Sequence, residues 1–299
     1  MSRSSPTAVV RRFNRSYTQR VGALQESFLG TGRSLGASRV LFEVGESGAT
    51  LRDLRARLGL DSGYLSRLVA GVEDEGLVTV VPDPEDRRRR LVRLTRKGRV
   101  ALRRLDDRSE TLASALLAPL SPRQQQRLVE ALDTADLLVR AATVTLGEVP
   151  PDHPQAQDAL ARYYAELDAR FPGGFDPGPT TRDDLDALTA PRGAFLLAVS
   201  DGAPVACGGV RRLDADTLEI KRMWVDGSWR GAGLGTRLLR RLEDEAARLG
   251  GTRIVLDTHR SLAEALAMYA RAGYRETEGY DVGNSYAQAW FEKPLAAKH

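Results

Sequence analysis

The run Arg230-Gly231-Ala232-Gly233-Leu234-Gly235-Thr236 precedes an apolar stripe at Leu238, Leu239, Leu242, Ala246 and Leu249. A glycine-rich loop opening a helix does anion chemistry, because unpaired backbone N–H groups converge there and glycine lets a phosphate approach without a Cβ in the way. Upstream, Glu219 begins the strand-like Glu219-Ile220-Lys221-Arg222-Met223-Trp224-Val225. A carboxylate inside a strand is uncommon, which makes Glu219 a candidate general base, with an ion pair to Lys221 as the other reading. A second set of residues is cationic and polar. Ser62, Gly63, Tyr64, Ser66 and Arg67 fall on one helical face, and Arg87 and Arg89 belong to a run of four arginines ending at Arg90. Such side chains meet phosphates and base edges of double-stranded DNA.

The elements that must hold these groups are legible around them. Thr50 with Asp53 reads as a capped helix start, Leu51, Leu54 and Leu58 share one face, and Gly59 ends the helix. A second helix, capped by Asp61 or Ser62, carries Leu65, Leu68, Val69 and Val72 before Gly76, and the two make a helix-turn-helix. Leu77–Val81 and Leu91–Leu94 then flank the arginine run as a hairpin. Asp86 and Arg88 are expected to brace its tip as an ion pair, leaving Arg87 and Arg89 for DNA. Further along, Phe195–Val199 and Arg253–Asp257 alternate with amphipathic helices in an α/β pattern.

At 299 residues and 32.7 kDa the chain has the length of two domains. Residues 1–146 hold 25 basic and 17 acidic side chains, and 147–299 hold 19 and 23, so the first half is the basic one and nucleic acid its first candidate partner. The one cysteine, Cys207, closes no disulfide and reads as a small buried hydrophobe, and the spread of His153, His259 and His299 offers no metal-ligand spacing. With no apolar spanning run, a cytoplasmic protein without membrane contact is expected. Prolines 150, 151 and 154 mark a linker, giving domains 1–147 and 148–299. The glycine loop lacks the Gly-Lys-Ser/Thr ending of a nucleotide P-loop and departs from the dinucleotide Gly-x-Gly-x-x-Gly spacing.

Gly76-Leu77-Val78, Asp86-Arg87-Arg88 and Leu94-Thr95-Arg96-Lys97-Gly98, in that order, resemble the winged helix-turn-helix of MarR-type regulators over about residues 5–145. The resemblance implies a homodimer on a pseudo-palindromic DNA site, built by helices near 7–29 and after Thr95. Arg230-x-x-Gly233-x-Gly235, the strand at Arg253, and Tyr269-x-x-x-Gly273-Tyr274 resemble the GNAT acetyltransferase superfamily over about 155–299. What that implies is an acetyl-CoA site without metal: Met223, Trp224 and Val225 along the pantetheine arm, Arg230 to Thr236 on the pyrophosphate, and Arg271 as a further contact. Tyr269 is then the candidate acid for the departing thiolate, and Glu219 the base. Thr258-His259 stands where many relatives have asparagine, which puts that asparagine's contact in doubt. Tyr164, Phe175, Asn284 and Tyr286 are the candidate contacts to a small amine acceptor. The expected architecture is a mainly α winged helix-turn-helix followed by an α/β GNAT fold with a mixed central sheet. The expected function is a regulator that is also an N-acetyltransferase; one rival keeps the second half as a sensor without turnover, and another keeps the winged helix for dimerisation alone.

Overall fold

The structure, a computed structural model, describes residues 5–84, 86–178, 181–280 and 284–295. The chain divides into two compact units, Met1–Glu130 and Ala131–His299.

The first unit contains α1 (Pro6–Arg20), α2 (Leu35–Val44), β1 (Ala49–Thr50), α3 (Leu51–Leu58), α4 (Ser62–Asp74), β2 (Val78–Pro82), β3 (Arg90–Leu94) and α5 (Arg96–Leu117), and α6 (Pro122–Thr143) crosses the division. Local chemistry sets the boundaries. Thr50 and Asp53 form a capping box on α3, Gly59 closes it in the left-handed conformation, Asp61 caps α4 and Thr95 caps α5. Leu65, Val69 and Val72 of α4 pack with Leu54 of α3, Val40 and Leu41 of α2, and Val78 and Val92 of the antiparallel sheet β1-β3-β2. The helix expected over 7–29 stops at Arg20, ahead of a left-handed Gly22, and buries none of its residues.

The second unit contains β4 (Thr145–Glu148), α7 (Pro154–Arg170), α8 (Arg182–Ala187), β5 (Gly193–Ser200), β6 (Ala203–Arg212), β7 (Thr217–Val225), α9 (Leu234–Arg248), β8 (Arg253–Thr258), α10 (Ala263–Arg271), β9 (Arg275–Thr277) and β10 (Ala289–Pro294). Seven strands form one mixed sheet in the order β4-β5-β6-β7-β8-β10-β9, with β7 and β8 parallel. Alternation along β5 feeds two cores. Leu196 and Ala198 join Leu238, Leu239 and Leu242 of α9 on one side, and Phe195 and Leu197 join Ala156, Ala159 and Leu160 of α7 on the other. Cys207 is fully buried on the α7 side, where burial pushes its thiol well above the ordinary range.

The boundary differs from the expected linker at 147–148. Thr145–Glu148 is the edge strand β4, paired with β5 from Thr145↔Val199 to Glu148↔Leu196, and Ala141 and Val144 already belong to the second unit's core. The prolines act locally: they follow the strand, and Pro154 opens α7 behind the His153 cap. No helix among the described residues is long and apolar enough to cross a membrane.

Candidate functional site

Strands β7 and β8 pair from Thr217↔Arg253 to Ile220↔Leu256, then separate, although β7 continues to Val225 and β8 to Thr258. Two irregularities accompany the split: the β6–β7 register shifts between Cys207 and Gly209, and Arg222 adopts a left-handed φ of 56°. A bulge bends its strand, and a left-handed residue with a Cβ costs about 1–2 kcal/mol, so the surrounding packing must enforce it. Among the described residues, the β8-side edge of β7 beyond Ile220 therefore has no strand to pair with. Past this edge, α9 starts behind Gly233, which sits at φ 77° and offers no side-chain cap, so the first N–H groups of the helix are free to bind an anion.

A cavity of about 340 Å³ runs over this loop. Every expected cofactor residue from Met223 to Thr236, and Arg271, lines it except Ala232, which packs against the core. At its wall Glu166 accepts from Trp224 Nε1 at 2.9 Å, from Arg170 at 3.1 Å and from Arg230. Arg170 also pairs with Glu264 at 2.5 Å, and this hydrogen bond holds the Glu264 carboxyl down to about 2.

A second cavity of about 440 Å³ adjoins the first, and Tyr163, Leu167, Met223, Leu262, Ala265 and Tyr269 line both. The Tyr269 hydroxyl lies 3.9 Å from Met223 Sδ. Burial, and then the charge of Asp257, push its phenol up, so it holds its proton at neutral pH. Tyr164, Phe175, Asn284 and Tyr286 all line this second cavity. Phe171, which the sequence reading did not single out, joins them: its ring stacks on His259 at 4.2 Å and on Tyr286 at 5.9 Å, and Phe175 meets Tyr286 at 4.7 Å. His259 Nδ1 accepts the Ser261 N–H at 3.1 Å, so the imidazole serves as a wall of this cavity.

Glu219 does not reach either cavity. It is fully buried, with Oε2 2.6 Å from Arg211 Nε and Oε1 3.0 Å from both Lys221 Nζ and the Tyr280 hydroxyl. It lines neither cavity, unlike the carboxylate the base role would need, and its bonds make it an anchor for Lys221. Two carboxylates line the second cavity: Asp257, bonded to Lys221 Nζ at 2.6 Å and to Asn284, and Asp176, which accepts the Gly178 N–H at 2.8 Å. Burial pulls the Lys221 ammonium down, but Glu219 and Asp257 more than offset it and leave it above the ordinary range. Glu219→Gln is accordingly expected to destabilise the second unit by about 3 kcal/mol in urea denaturation, since it strips one partner from a buried ionic cluster. Lost turnover at unchanged stability would instead return Glu219 to the chemistry.

In the first unit α4 presents Ser62, Gly63, Tyr64, Ser66 and Arg67 away from its buried stripe. Arg67 lies over the Tyr64 ring at 5.7 Å, and Ser66 Oγ donates to the Ser62 carbonyl at 2.8 Å. The hairpin tip differs from the expected Asp86–Arg88 pair. Asp86 accepts the Arg88 backbone N–H at 3.0 Å and pairs its carboxylate with Arg89 at 3.2 Å, so Arg89 is the brace and Arg87 is exposed at the tip.

A winged helix-turn-helix and a split-sheet α/β unit with an anion-binding helix start define a regulator-like domain joined to an acyltransferase-like one. The chain belongs to the Acetyltransferase (GNAT) family, which its residues 160–274 match, and residues 31–89 match the MarR family. It is 34% identical over 142 residues to the IAA acetyltransferase of Azospirillum brasilense, an overlap of 46% of this chain and 92% of that protein. It is 33% identical to the N-alpha-acetyltransferase RimI of Mycobacterium tuberculosis over 39% of this chain and 73% of that protein. On the regulator side it is 31% identical to YdgJ, an uncharacterized HTH-type transcriptional regulator of Bacillus subtilis, over 27% of this chain and 49% of that one.

Proposed function

We propose that the protein is a DNA-binding regulator of MarR type joined to an acetyl-CoA-dependent N-acetyltransferase, which acetylates the primary amine of a small molecule such as an amino acid. One observation carries the enzyme reading: a cavity ending at an uncapped helix start and a cavity walled by aromatic and charged groups meet at Tyr269. The free N–H groups of α9, with Arg230 and Arg271 beside them, suit the pyrophosphate of acetyl-CoA. The unpaired edge of β7 suits the amides of its pantetheine arm, as a sheet edge takes an added strand, and the Val225 N–H suits the thioester oxygen as charge develops there.

In the second cavity an ammonium gives up a proton toward Asp257, and the free amine attacks the thioester carbon. The C–N bond forms, the C–S bond breaks, sulfur takes the Tyr269 proton, and the remaining excess proton on nitrogen restores the phenol through solvent. The test is CoA release with acetyl-CoA and a panel of amino acids, polyamines, aminoglycosides and basic peptides. Release that depends on the acceptor is expected, and acetyl-CoA binding with no release across the panel would overturn turnover in favour of sensing.

Sensing has an observation of its own. Arg237 of α9 donates to the carbonyls of Ala141, at 2.8 Å, and Val144, and Arg140 sits 4.5 Å from the Trp229 ring, so the end of α6 contacts the residues on either side of the loop proposed to hold the pyrophosphate. DNA affinity indifferent to saturating acetyl-CoA would remove that reading. The proposed DNA-binding form is a cytoplasmic homodimer, supported by exposed Val9, Val10, Phe13 and Tyr17 on α1.

A further inference from the structure

We infer that the acceptor carries a carboxylate as well as its amine, that it is an amino acid with an apolar or aromatic side chain, and that Arg222 selects it. The inference rests on the transferase reading above and adds what the second cavity recognises.

The cations around the two cavities are ion-paired among the described residues, save Arg271 on the first cavity and Arg222 on the second. Lys221 is held by Glu219 and Asp257, Arg211 by Glu219, and Arg170 and Arg230 by Glu166. Arg222 lines the acceptor cavity and forms no ion pair among the described residues, and its Nη1 is buried without a hydrogen-bond partner. Asp184, close enough for the two charges to interact, has Oδ2 committed to the Thr181 N–H at 2.9 Å and hydroxyl at 2.8 Å. A buried guanidinium N–H left unsatisfied is costly, and a guanidinium is built to take a carboxylate through two parallel bonds.

The backbone makes the same point. Residues along a strand alternate between faces, yet Lys221, Arg222 and Met223 all line one cavity. The left-handed φ of Arg222 breaks the alternation. A conformation that disfavours any residue with a Cβ is thus kept where it delivers a cation to the acceptor cavity.

The remaining walls fit the rest of an amino acid. Asp257 is paired with Lys221, and Asp176 accepts the Gly178 N–H, whereas Arg222 is unpaired among the described residues. Charge from Arg222 reaches Tyr164 and charge from Asp257 reaches Tyr163 and Tyr269, so the open cation is separated from the carboxylate near Tyr269. A zwitterion matches that separation, with its amine toward Tyr269 and its carboxylate on Arg222. Phe171, Phe175 and Tyr286 supply an apolar surface for a side chain. A polyamine or aminoglycoside would bring only positive charge to Arg222.

The test compares phenylalanine with phenethylamine, and leucine with isopentylamine, as acceptors for the full-length wild type, Arg222→Met and Arg222→Lys. Wild type is expected to favour the amino acid in kcat/KM by about 100-fold, the worth of a charge-assisted hydrogen-bond pair. Arg222→Met should lose that preference by slowing the amino acid alone, with the amines within about threefold of wild type, and Arg222→Lys should restore part of it. Equal use of acid and amine by wild type, or an equal loss of both in Arg222→Met, overturns the inference. Equilibrium binding of N-acetylphenylalanine against N-acetylphenethylamine separates this from the transferase reading. Arg222-dependent preference for the carboxylate without any turnover would sink the transferase and keep the site, and no preference would sink the site.

Discussion

Tyr269→Phe is expected to lower kcat by about 100-fold or more, the low end of what a positioned general acid contributes, with the KM for acetyl-CoA nearly unchanged. The reason is the placement of the hydroxyl. It sits where the two cavities meet, whereas the anion-binding loop lies elsewhere along the first cavity. Burial and the Asp257 charge keep the phenol protonated, so at neutral pH it can give a proton to a thiolate. The substitution should leave the fold alone, because the ring is retained and the hydroxyl's contact within the chain is a weak 3.9 Å approach to Met223 Sδ. Steady-state CoA release beside a thermal melt decides it: turnover within threefold of wild type would reduce Tyr269 to a wall.

The helix that carries Tyr269, the glycine loop, the capping box at Thr50 and the stripe on α4 are legible in the sequence, whereas the acid role proposed for Tyr269 comes from the family resemblance. Each is written within one helix or one turn, where spacing alone fixes geometry. The misses all depend on what another strand contributes. The sequence offers Lys221 as a partner for Glu219 but not Arg211, which comes from the neighbouring strand through the register Arg211↔Glu219. The edge strand β4 is four residues long and next to three prolines, so its own pattern does not mark it, and the ladder from Thr145 to Glu148 depends on β5. Arg222 was hidden by the period of two that a strand imposes, which a left-handed residue suspends. One signal was available: Lys221 and Arg222 are adjacent cations between buried Ile220 and Trp224, and both could line one cavity only if the strand broke its alternation.

Gly98→Ala should unfold the DNA-binding unit at a temperature about 10 °C lower than wild type, while acetyl transfer persists below that transition. A Cβ on Gly98 would stand 1.9 Å from the Leu77 carbonyl oxygen and 2.9 Å from its carbon. Neither side can yield easily. The Leu77 oxygen accepts the Thr95 N–H at 2.9 Å and its hydroxyl at 3.2 Å, and the same hydroxyl caps α5 by accepting the Gly98 N–H at 2.9 Å. Leu77 itself is fully buried. Moving α5 away breaks the cap, and moving Leu77 opens the core beneath the wing. Overpacking of this kind costs about 2–3 kcal/mol, several degrees per kcal/mol for a unit of this size. Arg87→Ala makes the contrast. It leaves the fold intact and should weaken DNA binding uniformly across sequences, lowering the slope of log affinity against log salt by about one. Differential scanning calorimetry with DNA titrations at several salt concentrations distinguishes the two. If Gly98→Ala kept the wild-type melting profile, the α5 start would have to be looser than the Leu77–Thr95–Gly98 bonds make it. If Arg87→Ala left the salt slope unchanged, the wing tip would lie off the phosphates and DNA contact would rest on α4 alone.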